Sequence, residues 1–325
     1  GSFARYKKTL EEFLTLTRAR PRIVLADKHP GYATSAYAQE LARRFRARLV
    51  RIQHHRAHAF SVAAEHGLRE FLAIVCDGLG WGDDDTIWGG EVFLNDERVG
   101  HLEAHTQLGG DAATREPARM LFSILEKAVG TARRARIMQR FFSEEEQAVL
   151  SRQLAEQFNS IATTSCGRVL DAAAVFLGLC TKREYDGRPA MLLEAAATQA
   201  RELAPIVEGR VLLTSPLFSF LVEQSEEHGA TQRDTSSTHK RDEWRGELAA
   251  TVFTYLARGL YALARSATDA KLPVVFGGGC AYNRFMTAWL CSKGVLVNNA
   301  VPAGDGGIAF GQVAAYLANA RNKNS

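Results

Sequence analysis

The chain has 325 residues, 46% of them hydrophobic and 23% charged, enough for one large two-lobed domain or two domains. Its net charge of +4, from 40 basic and 36 acidic residues, allows an anionic ligand without demanding nucleic acid. Five cysteines with no CxxC pair argue against a disulfide framework or a structural zinc module. With no run of 18 apolar residues and no signal peptide, a reducing cytoplasm is the expected setting.

Gly1-Ser2 reads as a cloning scar, with the true start upstream. Residues 6–18 follow the period of an amphipathic helix, its apolar set being Leu10, Phe13, Leu14 and Leu16. Residues 21–26 form a short apolar strand that ends in Asp27 and a Pro-Gly turn. A helix over residues 35–46 and a strand over 49–52 come next, then a helix over 54–65 stopped by Gly67. Short apolar strands alternating with helices point to an α/β layer.

From residue 71 the pattern changes. Residues 71–76 are an apolar strand, 77–82 a glycine-rich loop, 86–94 a second strand, Asn95-Asp96 a turn, and the third strand ends at His101. This is a β-meander. Residues 115–225 are mostly helical in pattern, with apolar periodicity at 118–129, 144–158 and 167–179. The polar stretch 224–242 is the best loop candidate, and a long helix covers about 243–267. The end of the chain runs twice through strand, glycine turn and helix: 274–276, Gly277-Gly278-Gly279 and 280–291; then 295–298, 304–307 and 308–318.

Chemistry concentrates at four residues. His54 and His58 lie four apart on one helix face, so two imidazoles can share a cation. Asp77 stands where an apolar strand ends, the usual place for ligand groups in α/β sheets, and Asp305 is flanked by glycines. An HxxxH pair alone is more often structural, and either aspartate alone is as often a turn residue. Together the four suggest a metal site in a cleft between two lobes. His55 points off that face. His29, His66, His101, His105, His228 and His239 have no comparable context and read as structural or solvated.

Other signals are weaker. Gly277, Gly278 and Gly279 would let the backbone approach a nucleotide at a helix N-terminus, although a tight turn without ligand is nearly as good a reading. The run lacks both GxGxxG and GxxxxGK[ST], which disfavours a Rossmann dehydrogenase and a P-loop NTPase. Gly167 and Asp171 open a helix whose carboxylate could accept ribose hydroxyls, or simply sit in solvent. A zincin needs Glu where His55 stands. Cys76 and Cys280 follow apolar strands, where small buried cysteines are common. The arginines at 43, 44, 46, 48 and 51, and at 133, 134 and 136, read as solvated helix faces. The run from Tyr185 to Glu194 suggests no chemistry of its own.

Taken in order, several motifs resemble one family. They are Asp27-Lys28-His29-Pro30-Gly31-Tyr32, Gln53-His54-His55-Arg56-Ala57-His58, Asp77-Gly78-Leu79-Gly80-Trp81-Gly82, Trp88-Gly89-Gly90-Glu91, Gly109 to Pro117, Ser165-Cys166-Gly167-Arg168 with Asp171, Tyr185-Asp186-Gly187, Gly278-Gly279 with Asn283-Arg284, and Asp305-Gly306-Gly307 with Gly311-Gln312. The likeness is to the C-terminal carbamoyl-transfer domain of the HypF family, which matures nickel-iron hydrogenases.

The resemblance implies a two-lobed actin-like (ASKHA, ribonuclease H-like) α/β fold. Residues 1–66 would be the remainder of the N-terminal lobe, and 67–325 the C-terminal lobe with helical insertions at about 115–270. The family's first β-hairpin, with its phosphate loop, is not found ahead of the first helix. Nor are the acylphosphatase, zinc and YrdC-like modules of full-length members. A sheet edge is then left for a partner or a second copy to cover.

The resemblance also makes His54, His58, Asp77 and Asp305 catalytic metal ligands for iron or zinc. It makes Gly167, Asp171, Gly277, Gly278, Gly279 and Asn283 the binders of ATP or carbamoyl adenylate. The implied reaction moves the carbamoyl group, derived from carbamoyl phosphate and ATP, to the C-terminal cysteine of HypE, toward the cyanide ligands of the hydrogenase. Neither nucleic acid nor membrane is expected as a partner. Two other classes remain: a non-catalytic module that docks HypE, recognised by binding without turnover, and an actin-like ATPase or kinase, recognised by ATP hydrolysis without carbamoyl phosphate.

Overall fold

The computed structural model describes residues 2–231 and 238–322. The first elements are α1 (Ser2–Thr17), β1 (Ile23–Asp27), α2 (Ala33–Phe45), β2 (Arg48–Ile52) and α3 (His54–Glu65). β1 and β2 form a two-stranded parallel sheet, with Ile23 opposite Arg48 and Asp27 opposite Ile52. Parallel strands need a crossover, and α2 supplies it.

The meander follows as β3 (Leu72–Trp81), β4 (Ile87–Leu94) and β5 (Glu97–Leu102). Then come β6 (His105–Leu108), α4 (Asp111–Arg115), α5 (Ala118–Val129), α6 (Thr131–Met138), α7 (Glu144–Glu156), β7 (Ser160–Thr163), α8 (Cys166–Phe176) and α9 (Arg188–Ala196). The remainder is β8 (Val207–Glu208), β9 (Val211–Leu212), α10 (Ser215–Thr231), α11 (Thr238–Ser266), β10 (Val274–Gly277), α12 (Arg284–Ser292), β11 (Leu296–Val297) and α13 (Ile308–Asn322). The larger sheet is mixed and nine-stranded. Its main path runs β11-β10-β3-β4-β5-β9-β8, with β7 pairing to β4 and β6.

Two apolar cores flank that sheet. Leu72, Ile74 and Cys76 of β3 face the core built with α5, α8 and α11, while Ala73 and Val75 face the core under α3 and α13. A strand buried on both faces is apolar at every position, as residues 71–76 are. α13 lies so close on α3 that a Cβ on Gly311 would stand 1.8 Å from the Ala57 carbonyl.

The structure corrects four local expectations. Residues 77–81 belong to β3, which continues past a register shift between Cys76 and Gly80; beyond it Gly80 pairs with Trp88 and Trp81 with Ile87 of β4. Residues 224–231 and 238–242 are helical, in α10 and α11, and residues 232–237 of the expected loop lie outside the described residues. The helix expected over 280–291 is a 3-10 turn (Gly279–Tyr282) followed by α12, because Asn283 caps a new start through its side chain on Met286 N. α1 buries no residue and leaves Phe13 and Leu16 exposed. Among the described residues no helix is long and apolar enough to cross a membrane.

Candidate metal and nucleotide site

α3 begins where the Gln53 side chain accepts from Arg56 N at 3.0 Å. That cap puts His54 in the first turn, and His58 one turn later on the same face. Their rings lie 4.9 Å apart between centroids, and both residues are buried. The far end of α3 is anchored by Glu65. Its carboxylate accepts from the N–H groups of Asn299, Ala300 and Val301 and from Asn298 Nδ2. Burial alone would raise the Glu65 pKa, but these donors bring it down to about 2. The same contacts hold the segment that leads into Asp305.

Asp77 arrives on β3. His54 Nε2 lies 3.1 Å from its Oδ2, and His58 Nε2 lies 3.6 Å from the same atom, beyond hydrogen-bond range. Asp305 Oδ1 is 3.6 Å from His54 Nε2 and 3.8 Å from His58 Nε2. One ligand atom from each of the four residues fits within 4.8 Å of the other three. Asp305 is exposed, so the group opens to solvent on that side. Burial pushes the Asp77 carboxyl up, yet the two imidazoles hold it well below the usual carboxylate range. Burial would likewise lower His54, but Asp27, Asp305 and Asp77 raise it well above an ordinary histidine.

Two observations test whether a cation fits. Both ring nitrogens of His58 are buried without a hydrogen-bond partner, an arrangement that costs free energy unless something else binds there. The donor set, two imidazoles and two carboxylates, is one that zinc or iron accepts. The residues fit the group.

Sequence reasoning gave no separate role to Asp27. Its Oδ2 accepts from His54 Nδ1 at 2.7 Å, which fixes the ring and turns Nε2 toward Asp77. A carboxylate behind a ligating imidazole does this in many metal sites. The available signal was that Asp27, like Asp77, follows directly on an apolar run.

Of the expected nucleotide residues, Gly167, Gly278 and Gly279 gather beside residues 76–78. A Cβ on Gly279 would lie 3.0 Å from Asp77 Oδ1, and one on Gly277 would lie 3.3 Å from the His58 carbonyl. Gly278 has φ +92° and Cys76 O only 2.3 Å from where its Cβ would be, so no other residue fits without strain. Gly167 packs against Gly78, with 2.8 Å from its built Cβ to Gly78 Cα. Asp171 is buried one turn along α8, where Arg168 Nη2 meets it at 2.7 Å; burial raises its pKa. Asn283 stands apart from the glycines. Its Oδ1 caps α12, and its Nδ2 donates to Glu194 Oε2 at 2.9 Å. Glu194 is a second residue to which the sequence assigned no chemistry.

Among the remaining histidines, His55 is fully buried against Gln53, His66 meets the Val297 carbonyl, and His228 stacks on Trp244. The side chain of His239 lies outside the described residues.

Comparison with known proteins gives a consistent result. Residues 73–312 match the family model described as carbamoyltransferase, Kae1-like domain, second subdomain, and residues 1–65 match the HypF Kae1-like domain. The chain is 34% identical to a probable carbamoyltransferase HypF of Methanocaldococcus jannaschii over 97% of its own length and 42% of that protein. It is 32% identical to a carbamoyltransferase HypF homolog of Cupriavidus necator, covering 94% of the chain and 80% of that protein. The chain thus spans about two fifths of the longer relative. Among solved structures, T. kodakarensis HypF superposes with a TM-score of 0.78 at 31% identity, over 91% of this chain and 40% of that one. Full-length HypF in a phosphate- and nucleotide-bound form gives 0.81 at 26% identity, over 97% and 41%.

Proposed function

The chain belongs to the HypF carbamoyltransferase family, and from that premise we propose that it transfers a carbamoyl group from carbamoyl adenylate to the C-terminal cysteine of HypE. The product would serve synthesis of the cyanide ligands of nickel-iron hydrogenase in the cytoplasm. His54, His58, Asp77 and Asp305 hold one divalent iron or zinc ion. Gly167, Asp171, Gly277, Gly278, Gly279 and Asn283 hold the nucleotide derived from ATP and carbamoyl phosphate. The observation that carries the reading is the convergence of four ligand atoms around the unpartnered ring of His58.

When bound, the ion supplies Lewis-acid stabilisation of charge on the reacting carbonyl or phosphate. The chain's own groups do the rest. Asp27 fixes the His54 ring, and Glu65 holds the segment leading to Asp305. The glycine turn and the start of α8 bring backbone within reach of the adenylate. The acceptor thiol loses its proton to solvent, the thiolate sulfur forms a C–S bond with the carbamoyl carbon, the bond from that carbon to the phosphoryl oxygen breaks, and AMP leaves with the bonding electrons. The exposed side of the cluster at Asp305 is where the acceptor thiol arrives.

The finer fold reading belongs here too. We infer an actin-like two-lobed arrangement, residues 1–66 and 67–325, with insertions at about 115–270. Two observations support it. β1 pairs with β2 alone among the described strands, which leaves its other edge free. An apolar cavity of about 560 Å³ runs from Leu10, Leu14 and Pro21 along β1 to Asp27 and His54. In this reading that groove is the place of the family's first hairpin, or of a partner strand that replaces it.

The test supplies carbamoyl adenylate and HypE to the purified chain. HypE should gain the mass of one carbamoyl group as AMP is released. Binding of HypE without any mass gain would favour a docking module, and ATP hydrolysis without carbamoyl phosphate would favour an ATPase.

A further inference from the structure

Charge is divided unevenly along the chain. Residues 1–66 carry thirteen Lys and Arg against five Asp and Glu, whereas residues 67–325 carry 27 against 31. Within the basic part, Lys7, Lys8, Lys28, Arg44 and Arg56 each meet a carboxylate. Among the described residues, Arg5, Arg18, Arg20, Arg22, Arg43, Arg46, Arg48 and Arg51 meet none; leaving aside Arg5 on α1 and Arg51, which reaches the Asp27 carbonyl, six exposed arginines remain.

The fold gathers these six at one place. Arg18 follows the end of α1, Arg20 and Arg22 lead into β1, Arg43 and Arg46 end α2, and Arg48 opens β2. Arg48 N donates to Arg22 O at 2.9 Å, so the strands begin side by side. A helix C-terminus favours cations, which accounts for Arg18, Arg43 and Arg46. It does not account for Arg20, Arg22 and Arg48.

Their surroundings are partly apolar. Leu16 is 82% exposed beside Arg18, and Ile23 is exposed beside Arg22. The Arg48 guanidinium lies 5.6 Å over the Tyr316 ring and donates to its hydroxyl. Arginine mixed with aromatic and aliphatic contact area is the composition of protein interfaces, and guanidinium groups pair with carboxylates bidentately. A polyanion such as RNA would also meet the acidic remainder of the chain, which repels it.

We propose that this arginine face is the docking surface for the folded body of the acceptor protein, through a carboxylate-rich, partly apolar patch on that protein. The proposal rests on the transfer reading above for the identity of the acceptor. The geometry suits it: the arginines lie at the N-terminal ends of β1 and β2, and Asp27, which orients His54, lies at the C-terminal end of β1. Five residues of strand put the two ends about 13 Å apart. An extended tail of about four or five residues spans that distance, so a body seated on the arginines can present its terminal thiol to the cluster.

The test is HypE binding to the full chain and to its Arg18→Glu/Arg20→Glu/Arg22→Glu variant, by calorimetry at about 0.02 M and about 0.3 M salt. A neutral Arg18→Gln/Arg20→Gln/Arg22→Gln variant and the thermal midpoints guard against misfolding. The proposal expects Kd to rise about tenfold or more in the charge-reversed variant at low salt, less in the neutral one, with the gap closing as salt increases. Equal affinity for HypE in all three proteins, or none in the wild type, overturns it. So does tighter wild-type binding to polyuridylate that displaces HypE, or a wild-type dimer that the reversal abolishes. Transfer to a short synthetic peptide ending in the acceptor cysteine is followed separately. Its absence in the wild type would sink the transfer reading, while the binding curves still decide the docking surface.

Discussion

The mouth formed by His54, His58, Asp77 and Asp305 and the glycine cleft beside it are built on opposite plans. In the mouth, side chains from α3, β3 and the turn before α13 converge, and His58 is left with no hydrogen-bond partner. In the cleft, Asp171 forms an ion pair with Arg168, although its Oδ2 has no hydrogen-bond partner, and Asn283 is held by Glu194 and Met286 N. What the cleft offers is backbone, brought close by Gly167 and Gly277 to Gly279. The unpartnered His58 ring depends on what binds it, whereas backbone of this kind keeps its shape when empty. Loss of the ion should therefore be the larger perturbation.

Substitutions can break or sharpen that contrast. His58→Ala should reduce transfer to the uncatalysed background while far-ultraviolet circular dichroism stays unchanged; normal turnover by this variant would break it. Asp27→Ala keeps all four ligands but frees the His54 ring, and metal affinity should fall about 10–100-fold, read by competition with a chelator of known affinity. Asn283→Ala should weaken nucleotide binding about tenfold while leaving metal affinity alone, and should cost about 1 kcal/mol of stability through the lost cap on α12. A titration that moves metal and nucleotide together would show the two regions to be one.

A further effect concerns a buried histidine away from both regions. His105 also has an unpartnered ring nitrogen, Nδ1, although its Nε2 lies 2.7 Å from Thr214 Oγ1. Burial lowers its pKa to about 4, against the upward pull of Glu103. Below pH about 6.5 the unfolded chain takes up a proton that the folded chain refuses until about pH 4. Stability must therefore fall as pH drops through that window, by the order of 1–3 kcal/mol. Urea midpoints between pH 7 and 4 check this, and His105→Gln should flatten the decline. Metal should not alter it, in contrast to any acid sensitivity at the mouth.

Much of the layout was legible in the chain. The i, i+4 spacing placed His54 and His58 on one face, and the strand-turn pattern placed Asp305 just ahead of α13. Other features were not legible, for physical reasons. Asp27 looks like any aspartate before a Pro-Gly turn; only the fold shows that His54 reaches it. β3 runs on through Asp77 to Trp81 because β4 pairs with it beyond the register shift, and pairing between distant residues leaves no local trace. β8, β9 and β11 are two residues long each, too short for alternation to register. Residues 224–231 and 238–242 are polar yet helical, and polarity alone does not separate a solvated helix from a loop. Glu194 went unassigned because its partner, Asn283, lies 89 positions away.

The central claim is that four side chains from three parts of the fold hold one cation. The direct measurement is metal content of the full chain after chelation, reloading with zinc or ferrous iron, and desalting, in wild type and in His58→Ala. About one ion per wild-type chain, and almost none in the variant, is the predicted result. A wild-type chain that retains no ion, or a variant that retains as much as wild type, would contradict it.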